Sequence, residues 1–159
     1  MKAFIIFAFL AVSGFGLYKF FQSPEKYLKK KTEYLINLSS VENSKVDMAL
    51  MRKVAKMAKF IHYDVQVKAQ YEDQVYQARS LNEFRSLLMA YFKHSSGGGD
   101  LEYKNLTVQI KDDKNRGVVN FDAFFDRGNQ KTFCKVVLEW IKEKKWFVKK
   151  IEVYSCYPI

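Results

Sequence analysis

The chain has 159 residues, enough for one domain that buries about two-thirds of the surface of its unfolded form. Apolar residues make up 48% of the sequence and aromatic residues 16%, which excludes a disordered or collagen-like chain. The 27 Lys and Arg residues outnumber the 17 Asp and Glu residues, for a formal net charge of +10. This excess favours acidic partners such as anionic lipid headgroups, phosphate groups or an acidic protein surface.

The first 22 residues form an apolar N-terminal segment. Residues 3–17 carry no charge, and the apolar run continues to Phe21 with only Lys19 interrupting it. Its length lies between a signal-peptide core of about 7–15 residues and a spanning helix of about 20. We predict a membrane-targeting helix that is kept as an anchor. Cleavage near Gly14 or Gly16 is the alternative.

A cluster of lysines follows this segment, and its members can contact lipid headgroups at the membrane surface. The positive-inside rule would place such a flank in the cytoplasm, whereas the short Met-Lys start is typical of export. We expect the domain on the non-cytoplasmic side; export after cleavage and a cytoplasm-facing domain are the alternatives. The lysines are Lys26, Lys29, Lys30 and Lys31.

Three helix starts are marked in chain order. Ser23 followed by Pro24 is an N-cap with proline at the first helical position, and we assign residues 23–43 to a helical linker. Ser44 opens a second helix, and with it a domain that spans residues 44–159. Ser80 and Glu83 form a capping box that heads a third helix, which ends at the glycines of residues 97–99.

Alternating apolar and polar residues predict strands in the rest of the domain. One strand begins near Val65 and returns over residues 74–79; four more follow the glycines, near residues 105–110, 119–125, 132–141 and 146–157. The short connections between the last four predict an antiparallel meander. The fold class is therefore α+β, in the order helix, helix, strand, helix, strands.

The strand over residues 132–141 is apolar on both faces. Cys134, Val136, Leu138 and Trp140 alternate with Phe133, Val137 and Ile141. A sheet covered by helices on one side needs only one apolar face, so the second face must be curled shut or paired with a partner.

Residues 45–154 resemble the nuclear transport factor two-like, or cystatin-like, superfamily. The resemblance is carried by the helix that runs into a strand at residues 60–65, by the capped helix at 81–92, and by the closing hairpin in which Trp146 follows the turn. It implies a strongly bent antiparallel sheet that wraps a helix as a cone. Superfamily members include pocket isomerases and dehydratases, ligand-binding modules, transport adaptors and membrane-anchored assembly subunits of type IV secretion.

A pocket enzyme of this fold needs an acid or base inside the cone. His62 and Asp64 lie where the second helix meets the first strand, at an expected pocket rim. Asp122 lies in an apolar strand, but its alternation with Phe121 and Ala123 favours the outer face. These are the only acid–base candidates, and we predict no catalytic set.

No motif indicates a metal ion or a cofactor. Cys134 and Cys156 are too few for a structural zinc site, but they can form a disulfide if the domain is exported. Lysines beside Trp140 and Trp146 can bind single-stranded nucleic acid, but the two tryptophans are explained more simply as hairpin core, so no nucleic-acid partner is expected.

The sequence therefore predicts a non-enzymatic, membrane-anchored interaction or assembly module of the cell envelope. Its partner, another protein or a second copy of the chain, would bind the outer face of the sheet. The alternative is a small-molecule-binding protein or an isomerase- or dehydratase-like enzyme that uses the cone pocket.

Overall fold

The computed structural model describes residues 23–40, 47–71, 74–94, 99–126 and 131–159. It contains the predicted helices and strands in the predicted order. The helices are α1 (Pro24–Ser39), α2 (Asp47–Ala58) and α3 (Leu81–His94), and the strands are β1 (Ile61–Tyr71), β2 (Gln74–Ala78), β3 (Asp100–Ile110), β4 (Arg116–Asp126), β5 (Lys131–Lys142) and β6 (Trp146–Pro158).

The six strands form one sheet in the order β2-β1-β6-β5-β4-β3. The meander from β3 to β6 and the β1–β2 hairpin are antiparallel, but β1 pairs with β6 in parallel, with Ile61 opposite Val148. The prediction of a wholly antiparallel sheet is therefore wrong at this pair. After β2 the chain crosses to the far edge through α3, and the meander returns in a direction that brings β6 beside β1.

Irregular pairing bends the sheet. The register shifts between Ile61 and Gln66 in β1 and between Lys104 and Thr107 in β3, and again twice between β5 and β6. Asn105 and Ser155 lie at two of these shifts and have φ angles of 54° and 53°. Bulges increase the twist of a strand and bend it, so the sheet curves around its helices as a cone.

The predicted caps are present at two helices. The Ser23 hydroxyl accepts a hydrogen bond from the Lys26 amide of α1, with Pro24 at the first helical position. At α3 the Ser80 hydroxyl accepts from the Glu83 amide, and the Glu83 carboxylate accepts from the Arg79 amide, one residue before the expected donor. The bonds to the Ser23 and Ser80 hydroxyls satisfy amides that the first helical turn leaves without partners.

The inner face of the sheet and the three helices enclose one hydrophobic core. Trp140, Phe92, Val119 and Val148 are fully or almost fully buried in it. On β5 the predicted inner set, Cys134, Val136, Leu138 and Trp140, is buried, whereas Phe133, Val137 and Ile141 on the other face are only partly buried. The predicted two-sided pattern of this strand is confirmed.

The helix that we assigned to a linker is part of this core. Leu28, Leu35 and Ile36 of α1 are buried among the inner residues of the sheet. Tyr103 of β3 donates a hydrogen bond to Glu33 of α1 over 3.1 Å. Burial raises the pKa of Tyr103, and the bond to Glu33 raises it further. This helix therefore packs on β3 and β4 as part of the same core.

Within the parts of the chain that the structure describes, no helix is both long and apolar enough to cross a membrane. The predicted anchor, residues 1–22, lies outside those parts, as does Ser44 of the second predicted cap. The anchor therefore stays a prediction.

Candidate functional site: the outer face of the sheet

The outer face of the sheet is the side opposite the core. Along β4, Asn120, Asp122 and Phe124 alternate with the buried inner residues Val119, Phe121 and Ala123. The pairing register carries the same alternation across β3, β5 and β6. Among the described residues, the three helices pack on the inner side, so this face is open to solvent.

An aromatic patch crosses three strands of this face at the end near Asp126. The Phe124 and Phe133 rings meet edge to face with centroids 5.4 Å apart, and the Tyr157 ring lies 5.0 Å from Phe133. Tyr157 is 51% exposed and the neighbouring Tyr154 is 42% exposed. We call Phe124, Phe133, Tyr154 and Tyr157 the aromatic patch. Aromatic side chains of this kind are enriched in the centres of protein interfaces.

Charged side chains of both signs lie on the same face, on either side of the patch along the strands. Lys150 lies between Glu139 and Glu152, with Nζ–Oε1 distances of 3.4 Å and 3.1 Å, and the hydrogen bond to Glu152 raises the pKa of Lys150. At the end of the patch Lys131 pairs with Asp126 at 3.1 Å, and this bond raises the pKa of Lys131. The face therefore carries an aromatic patch and paired charges of both signs.

A second cluster surrounds His62, at the other end of the same face. His62 is only 4% exposed, and its Nε2 lies 3.1 Å from Oε1 of Glu143 in the β5–β6 turn. Its Nδ1 accepts a hydrogen bond from the Asp64 amide over 3.2 Å. Lys149 forms an ion pair with Asp64, which lowers the pKa of that carboxyl.

This cluster is built to hold strands together, because both ring nitrogens of His62 are already engaged. The rings of Tyr63 and Phe147 lie 4.2 Å and 6.0 Å from the His62 ring and cover it. Phe147 and Lys149 alternate with the buried inner residues of β6, so the cluster is on the outer face. We had expected His62 and Asp64 at the rim of an inner pocket. The structure instead places them on the outer face.

Asp122 is also on the outer face, as its alternation with Phe121 and Ala123 indicates. Its Oδ2 accepts a hydrogen bond from Nδ2 of Asn105 over 2.7 Å. Asn105 lies in the β3 bulge, so this bond ties the bulge to β4. Asp122 therefore has a different set of partners from His62 and Asp64, and all three residues are on the outer face.

The inner side of the sheet carries the hydrophobic core described above. Thr32 and Thr132 are the buried polar residues among the described residues apart from His62. Thr32 Oγ1 and Trp140 Nε1 are buried without a hydrogen-bond partner. An open depression of about 500 Å³ lies instead on the solvent side of α3, between Arg85, Ser86, Met89, Ala90 and Lys93.

The predicted cysteine pair is joined. A disulfide links Cys134 of β5 to Cys156 of β6, with Cα atoms 4.2 Å apart. Of the predicted membrane-surface lysines, Lys26, Lys29 and Lys30 are exposed, whereas Lys31 lies over the rings of Tyr27 and Phe60 at 5.4 Å and 5.0 Å.

The sequence analysis did not identify some residues of the outer face. Glu143 and Lys149 are distant in sequence from His62, and only the strand pairing brings them together. Phe124 and Tyr157 belong to strands that the alternation of apolar and polar residues predicted. Their contact with Phe133, however, depends on the strand registers, which this alternation does not determine.

The architecture is shared with solved structures. An NTF2-like protein of unknown function from Pseudomonas putida superposes with a TM-score of 0.66 at 12% identity, over 81% of this chain and 84% of that one. A protein of unknown function with a cystatin-like fold from Nostoc punctiforme gives 0.55 at 16% identity, over 80% and 91%.

The chain has the NTF2-like fold. A putative scytalone dehydratase from Novosphingobium aromaticivorans also shares it, with a TM-score of 0.54 at 12% identity over 69% of this chain and 76% of that one. No protein-family model matches the sequence of this NTF2-like chain, and no curated protein does. Proteins of unknown function and a dehydratase-like protein thus share the architecture, which does not by itself select a function.

Proposed function

We propose that this protein is a non-enzymatic, membrane-anchored interaction module of the cell envelope, which pairs with a second copy of itself through the outer face of β4, β5 and β6. The observation that carries the proposal is the aromatic patch on an open sheet face. Exposed contiguous aromatic surface of this kind marks interaction sites, because a monomer gains nothing from leaving it in water.

The paired charges on the same face favour a second copy as the occupant. A two-fold interface brings the same surface of two subunits together, so each charge must find its opposite on the same face. Lys150, Glu139 and Glu152 supply both signs beside the partly buried Val137. A face with a strong excess of either sign would repel a second copy.

The attachment to a membrane rests on the sequence of residues 1–22, and the disulfide supports a non-cytoplasmic location. Disulfides persist in oxidising compartments and are rare in the cytosol. A domain that holds Cys134 and Cys156 as a disulfide is suited to the outer side of the membrane.

The pocket alternative has less support. An enzyme of this fold would bind its substrate on the inner side of the sheet, where α1 places Leu28, Leu35 and Ile36 among the core residues. Its acid–base candidates, His62, Asp64 and Asp122, lie on the opposite face with partners of their own.

The test is a Val137→Glu variant of the full chain in detergent, compared with Val75→Glu. Val137 is on the outer face of β5, whereas the 50% exposed Val75 belongs to the edge strand β2, three strands away. The two variants therefore place the same charge inside and outside the proposed interface. We expect wild type and Val75→Glu to sediment as dimers and Val137→Glu to weaken dimerisation at least tenfold, because it buries an unpaired charge.

A wild-type chain that stays monomeric across the concentration range would overturn the pairing, and so would a Val137→Glu dimer as strong as wild type. Circular dichroism of both variants controls for unfolding.

A further inference from the structure

Three segments of the chain meet at one end of the sheet. Leu28 in the first turns of α1 packs on Gly117, where a Cβ atom would lie only 2.4 Å from Leu28 Cδ1. The β3–β4 turn before Gly117 is bonded to the end of β5, where the Lys142 amide donates to the Asn115 carbonyl over 2.7 Å. Residues 1–22 join the domain at Ser23, immediately before α1, and therefore at this same end.

These segments hold most of the excess positive charge. Residues 25–31 have a formal net charge of +3, residues 111–116 of +1 and residues 142–145 of +2, together more than half of the chain's +10. We call their exposed lysines the basic end. They are Lys26, Lys29, Lys30, Lys111, Lys114, Lys142, Lys144 and Lys145.

Of the four acidic residues in these segments, Asp113 and Glu143 have partners of their own, whereas Glu25 and Asp112 form no ion pair among the described residues. Asp113 pairs with Arg116 over 2.8 Å, and the bond lowers the pKa of Asp113, while Glu143 is held by His62. Among the described residues, no ion pair involves a lysine of the basic end. At the opposite end of the meander, Asp126 neutralises Lys131. The positive charge is thus concentrated at one end and is available to an external anion.

We propose that the basic end lies against the anionic headgroups of the membrane that holds residues 1–22. The inference rests on the membrane attachment proposed above. Two independent features coincide at one place: the apolar segment joins the domain there, and the unpaired lysines surround that junction. Each lysine near an anionic bilayer adds electrostatic attraction that is limited to about one Debye length, about 8–10 Å.

Such docking sets the orientation of the domain. The β3–β4 and β5–β6 turns would face the bilayer, so the strands would run away from it and the aromatic patch would lie at the distal end of the outer face. A second copy in the same membrane can then approach from the side.

The two tryptophans of the chain report on this end directly. Trp146 begins β6 immediately after the lysine-containing turn, and Trp140 pairs with Gly117 beside the β3–β4 turn. The full chain is reconstituted into phosphatidylcholine vesicles and into vesicles that also contain phosphatidylglycerol, both with a quencher on the headgroups of both leaflets. We expect tryptophan quenching to be about twofold stronger with the anionic lipid, and to fall to the phosphatidylcholine value in high salt because salt screens the attraction.

Charge-reversed variants test which residues are responsible. Lys142→Glu/Lys144→Glu/Lys145→Glu should lose the lipid-dependent part of the quenching. Since these changes are close to Trp146, a second variant, Lys26→Glu/Lys29→Glu/Lys30→Glu, reverses the same charge on α1 and should have the same effect. The matched control, Lys68→Glu/Arg85→Glu/Lys93→Glu, changes the net charge equally at exposed positions outside the basic end and should keep wild-type quenching.

The outcomes separate this inference from the proposed function. A chain that partitions into neither kind of vesicle contradicts the membrane attachment itself. A chain that partitions into both, with quenching that is independent of anionic lipid or equally reduced in the control variant, overturns the docking of the basic end and leaves the attachment standing.

Discussion

Gly117 shows how one residue without a side chain joins two elements. It is buried at the start of β4, directly beneath Leu28 of α1, and its absent Cβ leaves the space that Leu28 Cδ1 occupies. Leu28 is fully buried, so it has little room to move aside. No periodicity in the sequence predicts this contact, because it depends on where α1 lies across the sheet.

We predict that Gly117→Ala lowers the free energy of unfolding by about 1–3 kcal/mol, because it overpacks a filled site. Urea denaturation measures the loss. Leu28→Ala should cost about 2–5 kcal/mol alone. In that background Gly117→Ala should cost about zero, since the clashing methyl group is gone. Costs that simply add in the double variant would contradict the packing of Leu28 on Gly117.

The candidate site was only partly predictable at the level of residues. The sequence places His62 and Asp64 at the start of a strand, and alternation places Asp122 on the outer face. It does not indicate Glu143 or Lys149 as partners, because these are 81 and 85 residues away from His62 and Asp64, respectively. Such pairs form through strand order, which local patterns do not encode.

At the scale of elements, caps and periodicity were sufficient for most of the fold. Ser23, Ser80 and the alternating strands predicted the helix starts and the meander, because each signal lies within a few residues of the element that it forms. The parallel pairing of β1 with β6 was not predicted. A strand's alternation shows which of its sides is buried, but not which neighbour it takes or in which direction.

The β5–β6 hairpin carries a prediction of its own. The Cys134–Cys156 disulfide closes a loop with a sequence separation of 22. Closing a loop of this size lowers the conformational entropy of the unfolded chain and so raises the free energy of unfolding by about 3 kcal/mol. We expect reduction to lower the free energy of unfolding by about that amount in the wild type. Denaturation with and without dithiothreitol measures it.

The control for this measurement is Cys134→Ala/Cys156→Ala. This variant should have the stability of the reduced wild type and should not respond to the reductant. If the wild type is equally stable in both conditions, the disulfide does not contribute as described.

At the scale of the whole molecule, charge and apolar surface are separated. The basic end surrounds the junction with residues 1–22, whereas the aromatic patch and the Lys131–Asp126 ion pair are at the other end of the sheet. This division suits a domain that is tethered at one end and binds a partner with a side face. The formal charge of +10 showed the excess, but only the fold shows that turns distant in sequence collect it at one end.

We predict that native protein purified from its own cells is found in the membrane fraction with residues 1–22 still attached. An uncleaved segment of this length and apolarity holds the chain in the bilayer. Mass spectrometry of the membrane and soluble fractions decides the point. A soluble species trimmed near Gly14 or Gly16 would instead identify a cleaved signal and a free domain.

The parallel pairing of β1 with β6 also has a consequence for biosynthesis. Ile61 pairs with Val148, so the edge of β1 that does not pair with β2 stays uncovered until β6 has been synthesised. Contacts between residues so far apart form slowly, because a long loop must close first. A nascent chain that ends before Trp146 therefore exposes an unpaired strand edge, which other chains can join. Synthesis of β6 therefore determines when the edge of β1 is covered and protected from aggregation.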